Sequence, residues 1–227
     1  MVLDFDTLID NHIKRETRPK GIGKYYPSEV GTCLRKTWYS YKYPSEIEPE
    51  LAKIFEMGNI IHDFIVQVLK SEKNPEISLL ESEFPFKVDI DDFMISGRVD
   101  NMIKVKLSGE VYLIEVKSVK DIKYTKEAAP HNIVQLQLYM HFTGVHNGLL
   151  LYVDKGNLKT KVFEIEYNKE KAEEIVNRFK MLHKHLKEDI MPEPEGRAHK
   201  EIEWMCKLCE YRDKCEKDTP KAKHEFN

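Results

Sequence analysis

Glu115 and Lys117 stand two apart in the run GEVYLIEVKSVK, which otherwise has the Val, Tyr, Leu and Ile content of a β-strand. Side chains alternate faces along a strand, so Val111, Leu113, Glu115 and Lys117 share one face and Tyr112, Ile114, Val116 and Ser118 the other. Charges taken out of water are costly unless they are paired or bound. One reading is a half-exposed edge strand with a surface ion pair. The other is a site, and Asp100 in ISGRVDNMI indicates its chemistry. Across a short turn, antiparallel pairing brings that position within ligand distance of Glu115. Two carboxylates from neighbouring strands are a common seat for Mg²⁺ or Mn²⁺. A lysine one pleat further on can orient an attacking water or neutralise charge growing on a phosphate.

Other polar residues point the same way. His62 sits beside an apolar helix face in GNIIHDF, with Gly58 one turn earlier, and alone it reads as a boundary histidine. Gln135 and Tyr139, four apart in VQLQLYM, share one side of a helix rich in Leu and Met. The four cysteines are Cys33 and then Cys206-x-x-Cys209-x5-Cys215. That spacing is ligand-like in a reducing compartment, and four thiolates suit a structural zinc or an iron-sulfur cluster equally.

Elements must position these groups. Helical periodicity predicts a helix over 5–14, a second one capped by Ser28 and carrying Cys33, Arg35, Trp38 and Tyr39, and a long one over PELAKIFEMGNIIHDFIVQVLKSE. In the long helix Leu51, Ile54, Phe55, Ile61, Ile65, Val68 and Leu69 make a broad apolar face. Strands are expected over about 79–90, 93–106 and 110–119, a helix over 132–142, strands GLLLYVDK and TKVFEIEY, and a charged helix over 169–187. This order predicts an α/β fold with a mixed central sheet flanked by helices.

At 227 residues with a net charge of −3, the chain can bury a core and is no general binder of polyanions. Contact with nucleic acid must then come from local patches, KRETRPKGIGK or KSVKDIKYTK. No apolar run approaches a membrane span and the first residues lack a basic leader, so a soluble cytoplasmic protein is expected. There is no GxxxxGK[ST] phosphate loop, which argues against a motor or kinase.

The order His62, Asp100, Glu115-x-Lys117, Gln135-x-x-x-Tyr139 resembles the RecB-like branch of the PD-(D/E)XK nucleases. One cysteine before that core and three after it, with YYPSEVGTCLRKTWY, is similar to the iron-sulfur members and most like the CRISPR-associated single-domain exonucleases. The resemblance spans roughly 25–215. It implies a restriction-endonuclease-like core, about 46–190, and a cluster lobe from both chain ends, about 25–45 with 196–219, within one nuclease domain over 1–227.

It also implies roles for individual residues. His62, Asp100, Glu115 and the Val116 carbonyl would hold Mg²⁺ or Mn²⁺, and Lys117 would position the water, supported by Gln135 and Tyr139. Cys33, Cys206, Cys209 and Cys215 would ligate an iron-sulfur cluster, a 4Fe-4S form ahead of 2Fe-2S. Arg98, Lys120, Lys123 and Lys126 are candidates to track a DNA backbone. Tyr25, Tyr26 and Trp38 are read as packing, with base stacking as the alternative. The implied activity is metal-dependent exonucleolysis of single-stranded DNA or frayed ends in CRISPR spacer acquisition, with the spacer-integrase complex as partner and oligomerisation left open. A non-catalytic DNA-end binder, or a stand-alone repair or viral nuclease, would carry the same motifs.

Overall fold

The computed structural model describes residues 3–14, 16, 18–198, 202–207 and 209–219. Of the first basic run, Arg15 and Thr17 lie outside the described residues. The elements are α1 (Phe5–Ile13), β1 (Lys24–Tyr25), α2 (Leu34–Lys42), α3 (Pro49–Lys70), β2 (Ile77–Ile90), β3 (Phe93–Val105), β4 (Val111–Val119), α4 (Pro130–Thr143), β5 (Asn147–Asp154), β6 (Thr160–Glu166), α5 (Lys169–Lys187), and short helices α6 (Glu195–Ala198), α7 (Trp204–Lys207) and α8 (Arg212–Asp218).

The expected α/β architecture with a mixed sheet is what the chain forms. Six strands run β1-β3-β4-β5-β6, with β2 paired to the other edge of β3. β2, β3 and β4 are joined antiparallel by turns, whereas β4 and β5 are parallel with α4 as the crossover. β4 pairs with β3 over Val111–Ile114 and with β5 alone at Glu115 and Lys117, where the burial of Glu115 rules out a surface ion pair. On one face, Ile61 and Ile65 of α3 pack against Ile103, Ile114, Val116 and Val153. On the other, Leu136, Tyr139 and Met140 of α4 pack against Val99, Leu113, Leu150 and Tyr152. Alternation along β4 thus directs Ile114 and Val116 to α3, and Leu113, Glu115 and Lys117 to the α4 side.

Two sequence expectations fail locally. A single turn of 3₁₀ helix over Pro27–Glu29 precedes α2, and Cys33 rather than Ser28 is the residue before that helix begins. Pro27 favours a turn but the stretch after it does not sustain helix, so the start is displaced towards Leu34. The broad apolar face of α3 is also not buried as a unit. Ala52, Ile61 and Ile65 are buried, while Ile54 is 54 % exposed and Leu51, Phe55 and Val68 also face outward. Only one stripe of a long helix can meet a sheet, and the remaining apolar residues of α3 lie outside that stripe.

The segment before α2 and the segment after α5 meet beside α5. Arg178 donates from Nε to the Val30 carbonyl and from Nη2 to the Thr32 carbonyl, and pairs with Glu195 at 2.8 Å. Glu195 in turn accepts from the Leu34 N–H at 2.8 Å. Gly31 lies against the first turn of α4, where an added Cβ would stand 3.0 Å from both the Cβ and the carbonyl oxygen of His131. Tyr25 and Trp38 are buried in this region, which assigns them to packing; Tyr26 remains exposed.

Candidate active site

β3 and β4 stay paired only from Lys104–Val111 to Asn101–Ile114. Beyond that point they diverge, and the next residues along each strand are Asp100 and Glu115. A backbone N–H freed by such a divergence needs a new acceptor. Asp100 supplies it, accepting from the Val116 N–H at 2.7 Å. The site is built into this fork, with β4 continuing along β5 and β3 along β2.

The side chains follow from the alternation. Glu115 Oε1 accepts from Lys117 Nζ at 2.7 Å, and Lys117 also donates to Gln135 Oε1 at 3.0 Å. Gln135 Nε2 donates to the Tyr139 hydroxyl at 2.9 Å, one turn further along α4. The pairs expected to share a face therefore form one continuous chain of hydrogen bonds. His62, from α3, brings Nδ1 to 3.5 Å from Asp100 Oδ2. Gly58 faces β4 here, and a Cβ at this position would make an ordinary 3.5 Å contact with Ser118 Oγ, so the glycine is not required for the approach.

Burial sets the electrostatics. The Glu115 side chain is 2 % exposed and that of Asp100 13 %. Loss of water pushes both carboxyls well above the usual carboxylate range, and the Asp100 charge raises Glu115 further. Burial holds the His62 imidazole below its ordinary value, so it is neutral and has a lone pair to offer near neutral pH. Tyr139 is raised by burial and stays a phenol.

These donors fit a hard divalent cation. Glu115 Oε2 is buried without a hydrogen-bond partner, a costly arrangement for a carboxylate that a cation would relieve. Among the described residues, His62, Asp100 and also Glu83 each offer a donor atom, and these three atoms lie within 4.8 Å of one another. Glu83 is absent from the sequence reading. It lies opposite Asp100, because Ser82 pairs with Asn101 and Phe84 with Val99. Its φ of 51° is a backbone state that no residue type announces for glutamate.

The remaining candidates are spread more widely. Arg98 forms a 3.1 Å ion pair with Glu83 at the exposed rim. Lys120, Lys123 and Lys126 are exposed on the segment between β4 and α4. Asp154 pins that segment by accepting from the Ile122 N–H at 2.9 Å. Cys33, Cys206, Cys209 and Cys215 line a separate cavity of about 300 Å³ together with Arg35 and Gly196. None of these four is in a disulfide. Burial raises the Cys206 and Cys209 thiols above their ordinary values.

Known proteins match this description at two levels. No curated protein matches the chain. Among solved structures it is similar to SSO0001, at 20 % identity and TM-score 0.62, over 94 % of this chain and 95 % of that one. It is also similar to the alkaline exonuclease LHK-Exo from Laribacter hongkongensis, at 16 % identity and TM-score 0.54, over 74 % of this chain and 90 % of that one. LHK-Exo in complex with dAMP aligns over the same shares at 17 % identity and TM-score 0.52. At such identities the likeness is one of fold. The sequence pattern of the PD-(D/E)XK nuclease superfamily matches residues 26–216, which takes in the forked strands and every cysteine. With Asp100, Glu115 and Lys117 at the fork and the pattern matched over most of its length, the chain belongs to the PD-(D/E)XK nuclease superfamily.

Proposed function

We propose that the protein is a metal-dependent DNA exonuclease acting on single strands or frayed ends. The observation that carries this reading is the buried, unpartnered Glu115 Oε2 beside Asp100, His62 and a lysine held at 2.7 Å. In the reaction, water attacks a phosphodiester phosphorus, a P–O bond to the leaving nucleotide breaks, and a proton passes to the departing oxygen. His62, Asp100, Glu115 and the Val116 carbonyl would hold Mg²⁺ or Mn²⁺. Such a cation lowers the pKa of a bound water and stabilises charge growing on the phosphate oxygens.

The chain's own residues do the rest. Lys117 places a positive charge beside the attacked phosphate, and Gln135 and Glu115 fix its direction. Tyr139, kept protonated by burial, orients the Gln135 amide. Arg98, Lys120, Lys123 and Lys126 would follow the backbone, with Lys120, Lys123 and Lys159 lining one surface depression past the end of β4. Binding through such contacts weakens steeply with salt.

We further infer that Cys33, Cys206, Cys209 and Cys215 hold an iron-sulfur cluster, of the 4Fe-4S type. A lone zinc would draw four sulfurs to about 2.3 Å and close the space between them. All four cysteines line one shared cavity, and the family resemblance favours the inorganic cluster. The cysteine arrangement resembles that of the CRISPR-associated exonucleases, and on that resemblance the proposed role is trimming of DNA ends in the cytoplasm before a spacer integrase inserts them. No helix among the described residues is long and apolar enough to cross a membrane.

The test is cleavage of end-labelled single-stranded DNA by anaerobically purified protein, with Mn²⁺ or Mg²⁺ against EDTA. Metal-dependent release of label that is lost in Lys117→Ala is the expected result. DNA binding without cleavage under every condition would instead make the protein an end binder.

A further inference from the structure

Glu83 occupies a position that strand geometry alone does not explain. It sits within the long β2–β3 ladder, directly opposite Asp100, at a φ of 51°. Glutamate in the left-handed region inside a strand is strained, and such kinks re-aim a side chain. Here the kink brings a Glu83 donor atom within 4.8 Å of donors on His62 and Asp100. Facing the same fork is Glu115 Oε2, buried and without a partner. A third carboxylate in such a place adds repulsion unless a cation joins it.

Arg98 supplies part of that compensation at the rim. Its guanidinium stands 3.1 Å from Glu83, with side chains 68 % and 51 % exposed respectively. An ion pair this wet is weak and exchanges readily. A guanidinium is also well shaped to grip a phosphate through paired N–H groups.

We propose that Glu83 is an additional cation ligand, outside the His62, Asp100 and Glu115 set, and that Arg98 is its placeholder in the metal-free protein. When the cation takes the Glu83 carboxylate, Arg98 is released and becomes available to the phosphates of the bound strand. Metal binding and DNA binding are then coupled through one side-chain exchange. This proposal rests on the divalent-metal reading of the site.

Mn²⁺ binding followed by calorimetry tests it without any need for turnover. Glu83→Gln is expected to weaken Mn²⁺ binding about tenfold or more, as loss of a ligand or of its support does. Glu83→Gly also removes the carboxylate while suiting the φ of 51°, so it guards against a folding artefact and is expected to show the same loss. Arg98→Gln is expected to act with the opposite sign, tightening Mn²⁺ in the absence of DNA. In DNA binding with Mn²⁺ present, it lowers the dependence on log salt by about one ion.

Mn²⁺ binding that is abolished in Asp100→Asn but unchanged in both Glu83 variants would overturn the proposal and leave the metal site standing. Weaker Mn²⁺ binding in Arg98→Gln would overturn the placeholder role. Wild-type protein that takes up no Mn²⁺ would overturn this proposal together with the metal reading beneath it.

Discussion

The forked site and the cysteine cavity both gather donors, but over very different spans of chain. Asp100 and Glu115 sit on strands joined by one turn, where pleat and register dictate which groups meet. In the cavity, Arg35 directs Nη1 towards Cys215 Sγ, 3.9 Å away, from 180 residues earlier in the sequence. The first set depends on local geometry, the point at which β3 and β4 part. The second holds together only when both ends of the chain are in place. One region therefore governs chemistry with little influence on stability, while the other should do the reverse.

The sharpest test of that division is Lys117→Ala. Removing a positioned charge from a reacting phosphate is expected to lower cleavage by about a hundred- to a thousandfold. Iron content should stay near that of the parent, and a large fall in it would break the comparison. Cys206→Ser probes the opposite side. A cross-link spanning most of a chain stabilises by about 4–5 kcal/mol in loop-closure terms. Its loss should lower the melting temperature by about 10 °C in a protein of this size, with loss of iron measured on the same sample.

Gly196→Ala is a milder version, because an added Cβ would meet Cys206 Sγ at 2.6 Å. Displacing that thiol should cost part of the bound iron and several degrees of stability, while metal-dependent cleavage at the fork survives. A smaller effect still comes from pH. Glu115 is raised by burial from 4.5 to about 7, so the metal-free folded protein holds a proton that the unfolded chain releases. Stability of the metal-free protein should therefore fall as pH rises from about 4.5 to 7, and Mn²⁺ affinity should rise over the same range as the proton leaves. Thermal melts with and without Mn²⁺ across that window read both trends. Last, Tyr139→Phe removes one hydrogen bond, worth about 1 kcal/mol, and should reduce cleavage only severalfold in single-turnover assays.

The sequence disclosed these two regions unevenly. Strand alternation put Glu115 with Lys117, helix spacing put Gln135 with Tyr139, and each of those pairings is a bond in the structure. Glu83 stayed hidden because a left-handed backbone at a glutamate has no signature, and it becomes visible only once β2 is set against β3. The exposed side of α3 was likewise illegible, since hydrophobic periodicity reports that a face exists and not how much sheet is available to cover it. The cysteines showed their spacing but not their neighbours. Arg35, two residues after Cys33, is buried with its Nη1 bonded to Thr219 at 2.8 Å, a pairing across 184 residues that spacing does not announce.

The contact between Gly31 and His131 has a consequence of another kind. The segment leading into Cys33 bears on the first turn of α4 with no side chain between them to act as a cushion, and Arg178 clamps it from behind. A junction without slack transmits displacement. A displacement of the segment ahead of Cys33 would therefore be felt at the start of α4 before any side chain could give way.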